Sequence, residues 1–357
     1  MKKIVTIVGA RPQFVKAAAV SRAISKTDVR EVIVHTGQHF DRNMSDIFFV
    51  EMEIPKPDYM LDIHSLSHGA MTGRMLERIE EVLIAEKPDG LMVYGDTNST
   101  LAGAIAASKL HIPIIHVEAG LRSFNMRMPE EVNRILTDRI SSLLFCPTDA
   151  AIANLKNEGF DGYNAKIVKN GDVMQDAAIY YAARSAQRSR VIADNGLADG
   201  FVLATIHRQE NTDDPQKLRS IIDGLNTISQ ERKVVMPLHP RTRNILAQQN
   251  ITPQFTVIDP VGYFDMVELL KHCALVVTDS GGVQKEAFFF AKPCITAREQ
   301  TEWVELVDNG FNVLVGSDEQ KMVAAFHQSM QKTYSFDVNL YGNGNASVAV
   351  AQEIAAF

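Results

Sequence analysis

Cysteine is scarce in this sequence and nowhere paired. Cys146, Cys273 and Cys294 stand in separate apolar stretches without a Cys-x-x-Cys. Neither a disulfide framework nor a zinc ribbon is encoded, and buried free thiols in a reducing compartment fit better. No apolar stretch approaches the roughly 20 residues of a bilayer span, so no membrane insertion is expected. The apolar run in MKKIVTIVGARP stops at Gly9-Ala10-Arg11-Pro12. That is too soon for a secretory leader, so the run reads as a first strand and a cytoplasmic protein is expected. Basic excess is also missing. A formal charge of −7 offers no footprint for nucleic acid, though a local cluster of cations and helix ends could still hold a small anion. No Gly-Lys-Ser/Thr, Gly-x-Gly-x-x-Gly or Gly-x-Ser-x-Gly occurs, which sets aside a P-loop, a dinucleotide fingerprint and a nucleophile elbow. The histidines have no metal-like spacing with Cys or carboxylates, so no metal is expected. There is no internal repeat and no low-complexity segment.

What the sequence does contain is alternation. At 357 residues it is long for one domain, and 46% hydrophobic content suits a real core. Short β-branched runs, KIVTIVG (3–9), EVIVHT (31–36), GLMVYG (90–95), IPIIHV (112–117) and LLFCPT (143–148), alternate with helical segments. The rhythm resumes after position 200 with FVLATIH, KVVMPLH, FTVID, ALVVTD and PCITA. Such alternation predicts two α/β layers with parallel sheets. We place an N-terminal Rossmann-like domain at 1–170 and a second at 171–345. A C-terminal helix at about 346–357 is a candidate to pack back on the first. Ligands of open α/β sheets bind beyond the carboxyl ends of the strands, and polar residues gather there in both halves. The cleft between the domains is the expected site.

In DSGGVQKEA, Ser280 can cap a helix while Gly281 and Gly282 let its first N–H groups approach an anion. Glu286, one turn inside, could then accept ribose hydroxyls. A plain capped helix after a turn explains the same spelling. GARPQFVK repeats the strand-turn-helix theme. Pro12 suits the first helical position, leaving Arg11 at the mouth and Lys16 a turn in. Asp96 in YGDTNST and Glu118 in HVEAGLRS follow apolar strands, where chemistry is often sited. A helix N-cap competes for Asp96 and explains Glu118 poorly. MPEEVNRILTDRI has Val132, Ile135, Leu136 and Ile140 at helical spacing, with Pro129, Glu130 and Glu131 opening the helix. His207 and His239 end successive strands, each beside Arg, which favours an anionic ligand.

Taken in order from residue 9 to about 305, GARPQFVK, HTGQH, GDTNST, HVEAGLRS, PEEVNR, HRQEN and TDSGGVQKEA resemble the non-hydrolysing UDP-N-acetylglucosamine 2-epimerase family. The resemblance spans nearly the whole chain. It implies the two-Rossmann glycosyltransferase-B fold, a homodimer, a UDP-sugar substrate, no cofactor, and a role in bacterial surface-polysaccharide synthesis. It also implies that Ser280, Gly281 and Gly282 hold the diphosphate and Glu286 the ribose. Arg11, Lys16, His239 and Arg298 match positions around the nucleotide-sugar, and Asp96, Glu118, Glu130 and His207 match catalytic ones. The loop before Pro-Glu-Glu varies in length, so Glu131 rivals Glu130. Some members are activated by their own substrate through residues near HTGQH. Gln38 matches, while the following FDRNMSD departs from that pattern.

The C2 proton of such a sugar has no neighbouring carbonyl. Elimination of UDP to a glycal and its re-addition then needs carboxylates on two faces and a cationic cradle. Members acting on plain UDP-N-acetylglucosamine commonly carry Thr-Glu-Arg-Pro-Glu after the diphosphate helix. This chain has REQTEWVE (298–305), with Trp303 and Val304 in place of Arg-Pro. It looks like the subgroup that epimerises UDP-2,3-diacetamido-2,3-dideoxy-D-glucuronate to the D-mannuronate form. A uronate calls for an added cation, Arg127 first and Arg74 second. The alternatives are a UDP-N-acetylglucosamine 2-epimerase and, from another class, a glycosyltransferase sharing the nucleotide site.

Overall fold

A computed structural model describes residues 1–38, 53–238 and 240–357. His39 and His239 lie outside the described residues, as does the side chain of Arg11. The chain forms two compact units, Met1–Ile179 with Asn339–Phe357, and Tyr180–Val338.

The first unit has strands β1 (Lys2–Val8), β2 (Val29–His35), β3 (Tyr59–Met60), β4 (Gly90–Tyr94), β5 (Ile114–Val117), β6 (Leu143–Cys146) and β7 (Lys166–Lys169). Its sheet is parallel in the order β3-β2-β1-β4-β5-β6-β7. The helices between them are α1 (Arg11–Ile24), α2 (His68–Glu86), α3 (Asn98–Lys109), α4 (Pro129–Ile140) and α5 (Asp149–Asn157), with α6 (Val173–Arg188) leading onward. Val5, Ile7, Val34, Leu91 and Val93 pack one sheet face against Met75, Ile79 and Leu83 of α2 and the alanines of α3. Each of the larger side chains contributes about 1.5–3 kcal/mol by leaving water. Small residues let α3 lie unusually close. A Cβ on Gly103 would stand 3.0 Å from Ile7 Cγ1. That closeness holds the start of α3 against the ends of β1 and β4.

The C-terminal helix, Ala346–Ala356, belongs to this unit. Asp176 accepts the backbone N–H of Ala346 and Ser347 at its start, and Lys2 Nζ reaches the Ile354 carbonyl at its end. Both interactions suit the helix's terminal partial charges. Val350 and Ile354 are fully buried.

The second unit has strands β8 (Val202–Thr205), β9 (Val234–Pro237), β10 (Thr256–Ile258), β11 (Leu275–Thr278), β12 (Cys294–Thr296) and β13 (Asn312–Leu314). They form a parallel sheet in the order β10-β9-β8-β11-β12-β13. Its helices are α7 (Val191–Asp194), α8 (Gln209–Thr212), α9 (Pro215–Ser229), α10 (Pro240–Gln248), α11 (Tyr263–His272), α12 (Gly281–Phe289), α13 (Val304–Asp308) and α14 (Glu319–Gln331). Leu218, Ile221, Ile222, Leu225 and Ile228 give α9 one apolar stripe, buried with Met322 and Phe326 of α14. All ten apolar runs expected as strands are strands. Three pieces were not marked by such runs: β3 and β13 are only two or three residues long, and β7 is an edge strand with lysines at both ends.

Candidate active site

At the strand ends of the first unit, Gln13 joins two turns. Its Oε1 accepts from the N–H of Gly9 and Ala10, and its Nε2 donates to the Tyr94 carbonyl at 2.9 Å. The turn after β1 is thereby tied to the turn after β4. Helix α1 begins at Arg11, so Pro12 sits one position later than expected, where its missing N–H is still harmless. Gly9 has no room for a side chain, since a Cβ would meet Thr36 Oγ1 at 2.0 Å and Ser99 Oγ at 2.3 Å.

Asp96 is not the N-cap of α3. Thr97 takes that role, accepting from Thr100 N–H. Asp96 stands just outside the helix, about a quarter exposed, with its Oδ2 held by Nε and Nη2 of Arg134. Its carbonyl accepts from Asn133 Nδ2 at 2.9 Å. Glu118 has φ 72°, the left-handed region, which costs a non-glycine residue about 1–3 kcal/mol. Its N–H donates to the Phe145 carbonyl, as does that of Ala119. Its carboxylate pairs with Lys16 Nζ, both side chains only 8% exposed. The pair lies over Gly95, whose absent Cβ would be 3.2 Å from each partner.

Helix α4 separates Glu130 from Glu131. Glu131 is buried and fully engaged, accepting from Ser123 N and Oγ, Phe124 N and Arg134 Nη1. Glu130 is partly buried and makes no hydrogen bond or ion pair among the described residues. The apolar stripe expected on this helix is not its buried face. Leu136 is 46% and Ile140 37% exposed, whereas Glu131, Asn133, Arg134, Thr137 and Asp138 are buried. Periodicity alone misreads α4 because Asp96, His116, Arg122 and Ser123 supply partners to its polar face.

In the second unit, Asp279 is wholly buried and accepts from His207 N, Arg208 N and Asn211 Nδ2. His207 Nδ1 lies 3.2 Å from it, leaving a half-exposed imidazole with Nε2 turned away from the carboxylate. Burial pushes the Asp279 carboxyl up, but His207 and the two other donor groups outweigh it and hold it below the usual carboxylate range. Ser280 caps α12, its Oγ accepting from Val283 N. Beyond its own helix backbone and chain neighbours, a Cβ on Gly282 would have nothing within 4 Å among the described residues. Gly281 is closed off, because a Cβ there would stand 2.4 Å from Glu302 Oε1. Glu302 is paired with Arg298 at 3.0 Å. Glu286 and Lys285 are buried in the same helix, with Lys285 Nζ 3.9 Å from the centre of the buried Trp303 ring.

Arg74 is exposed on α2 and paired with Glu77, and Arg127 is exposed in the loop before α4. Among the described residues no group of three His, Cys, Asp or Glu could hold a metal ion, and no helix is long and apolar enough to cross a membrane. The thiols are buried and inert, those of Cys273 and Cys294 pushed up to about 12 by burial. The residues that sequence reasoning did not single out are Gln13, His116, Asn133, Arg134 and Asp138, while Asp279 reads from the sequence as a strand end without a role of its own. The signal for His116 was a lone polar residue inside the apolar run IPIIHV.

This arrangement has known counterparts. The family model of UDP-N-acetylglucosamine 2-epimerase matches residues 22–355. The chain is 60% identical to the UDP-2,3-diacetamido-2,3-dideoxy-D-glucuronate 2-epimerase of Pseudomonas aeruginosa, over 99% of each chain. Among solved structures, the UDP-GlcNAc 2-epimerase of Methanocaldococcus jannaschii in complex with UDP-GlcNAc and UDP superimposes with a TM-score of 0.93 at 41% identity, covering 99% of this chain and 100% of the other. The Neisseria meningitidis enzyme bound to UDP-GlcNAc gives 0.91 at 30% identity, covering 99% and 100%. The chain therefore belongs to the UDP-N-acetylglucosamine 2-epimerase family, and its two parallel-sheet units are those of the glycosyltransferase-B fold.

Proposed function

We propose that the protein inverts C2 of a UDP-sugar by eliminating and re-adding UDP, acting on UDP-2,3-diacetamido-2,3-dideoxy-D-glucuronate to form the D-mannuronate epimer. The observation that supports the chemistry is that Asp96 and Glu118 follow the adjacent parallel strands β4 and β5, Glu118 held by Lys16 and Asp96 by Arg134 of α4, the helix that also carries Glu130. Full-length identity to the Pseudomonas aeruginosa enzyme supports the substrate. One carboxylate takes the C2 proton as the C1–O bond to UDP breaks, leaving a 2-acetamidoglucal. A second carboxylate returns a proton to the opposite face, and the diphosphate re-forms the bond at C1. Proton count and redox state are unchanged, so the cycle calls for no cofactor.

Ser280, Gly281 and Gly282 hold the diphosphate, because a helix N-terminus presents unpaired N–H groups and positive partial charge. His207, oriented by Asp279, stabilises the departing diphosphate with Arg11. Glu286 takes the ribose, and His239 and Arg298 contact the nucleotide-sugar. The enzyme works as a cytoplasmic homodimer.

The test is incubation in D₂O with UDP-2,3-diacetamido-glucuronate and, separately, UDP-N-acetylglucosamine, followed by proton NMR. Faster formation of a manno product from the uronate, with deuterium at C2, is expected. Turnover of the plain sugar alone would overturn the substrate assignment, and binding without turnover of either would overturn the reaction.

A further inference from the structure

His116 lies in the middle of β5, fully buried. Its Nδ1 is 2.7 Å from Asp138 Oδ1, and its Nε2 is 2.7 Å from the Gly95 carbonyl oxygen. A carbonyl oxygen can only accept, so Nε2 carries a proton. Asp138 is itself an acceptor on its other oxygen, taking Arg122 Nη1 at 2.7 Å and Gly120 N at 3.1 Å. Burial pushes the Asp138 carboxyl up, but His116 and Arg122 together hold it below the usual carboxylate range. With Arg122 and the Gly120 N–H already donating to it, Asp138 serves as a carboxylate, so Nδ1 donates as well and both ring nitrogens carry protons. The surrounding charges close the account: Arg122 is held on its far side by Glu158, and the nearby Cys146 thiol is kept neutral by burial.

The connections made by this pair explain its place. Gly95 immediately precedes Asp96. His116 and Gly120 lie two residues either side of Glu118. Asp138 is on α4, which carries Glu130 in its first turn and whose Arg134 grips Asp96. One buried carboxylate and one buried ring thus join the three segments that carry the three candidate catalytic carboxylates. Apolar side chains of similar volume would stabilise the unit as well or better. They could not fix the direction of the Gly95 carbonyl or the Gly120 N–H. Rate is sensitive to such placement, with displacements near 1 Å costing about 100-fold.

We propose that His116 and Asp138 are positioning residues of the epimerase, an imidazolium–carboxylate pair that locks the turns after β4 and β5 to α4 and so fixes Asp96, Glu118 and Glu130 relative to one another. The proposal rests on the epimerase reading for its catalytic consequence, not for the state of the ring.

Two measurements on the full-length protein test it. In protein labelled with ¹⁵N-histidine, two slowly exchanging ring N–H signals are expected that vanish together in His116→Asn. A single ring N–H would overturn the proposal. In the activity assay, Asp138→Asn and His116→Asn should lose roughly 100-fold in kcat, with KM and the Kd for UDP within about twofold. His116→Gln retains an amide donor at the Nε2 position and should recover part of that loss. Folded variants with unchanged kcat, or an equal loss for Gln and Asn, would overturn it. Should the variants not fold, the ring signals of the unsubstituted protein decide. An unsubstituted protein that binds the UDP-sugar without epimerising it would defeat the epimerase reading while leaving the two-proton ring intact.

Discussion

Gly95-Asp96-Thr97 and Thr278-Asp279-Ser280 occupy the same place in two sheets whose first six strands are ordered alike, yet their carboxylates are held in different ways. Each follows the strand that pairs with the first strand of its unit, and each ends on a hydroxyl residue capping the next helix. Asp96 stays at the surface in the grip of Arg134, whereas Asp279 is sealed and consumed by backbone and side-chain donors around His207. The helices diverge as well. In α3 the first positions are Asn98 and Ser99, both buried and occupied by His68, Asn133 and Gln38. In α12 they are Gly281 and Gly282, and the second faces open space. Proton transfer needs a side chain of suitable acidity in a fixed position. Diphosphate binding needs bare N–H groups. On the reading proposed above, one local framework serves either role, depending on which residues fill its first turn.

The sharpest way to break that comparison is to remove a carboxylate from the first unit. Glu118→Gln should reduce kcat by about 10²- to 10⁴-fold and leave the Kd for UDP unchanged by calorimetry. A matching loss in UDP affinity would show that the two roles are not divided between the units. Filling the open turn of α12 should do the reverse. Gly282→Ala adds a methyl that meets no atom of the described residues within 4 Å beyond its own helix backbone and chain neighbours, so Tm should hold while UDP affinity drops roughly tenfold, about 1.4 kcal/mol. Unaltered binding would remove α12 from the diphosphate site.

Asp279→Asn sharpens the contrast through stability. The carboxyl is held below its ordinary range when folded, so the folded state binds its proton less readily than the unfolded chain. Its contribution is complete above the unfolded value near 3.9 and is lost as pH falls through the lower folded value. At pH 7 the variant should be less stable by about 1–3 kcal/mol, the cost of leaving buried donors unmet. Urea denaturation curves of the two proteins should converge as the medium becomes acid, and a constant gap down to pH 2 would contradict the argument.

The legible parts of this molecule are those in which residues act on their near neighbours. Apolar runs marked the long central strands, and Ser280 before Gly-Gly marked a capped helix start. Helix α4 shows where local pattern stops. Its apolar residues have the right spacing, yet Leu136 and Ile140 face outward because Arg134 and Asp138 find partners 38 and 22 residues upstream, at Asp96 and His116. Adjacent glutamates that look alike in sequence are told apart by the path of the preceding loop, which brings Ser123 and Phe124 onto Glu131, with Arg134 completing its contacts. Buried charge is decided by contacts across the fold, and periodicity carries no record of them.

The smallest expected effect concerns the uronate. Arg74 is already paired with Glu77, both side chains more than half exposed, and exposed pairs of this kind contribute little. Arg74→Ala should leave Tm and KM unmoved. Arg127 makes no ion pair among the described residues and lies in the exposed loop that leads to Glu130, which makes its charge the freer of the two to meet a C6 carboxylate. An exposed pair is worth up to about 1 kcal/mol, so Arg127→Ala should raise KM for the uronate by about fivefold. The effect should shrink with added salt, because screening acts on exposed charges, and it should be absent for UDP-N-acetylglucosamine, which has no C6 carboxylate. An equal rise for both sugars would mean that Arg127 supports the loop rather than reads the substrate.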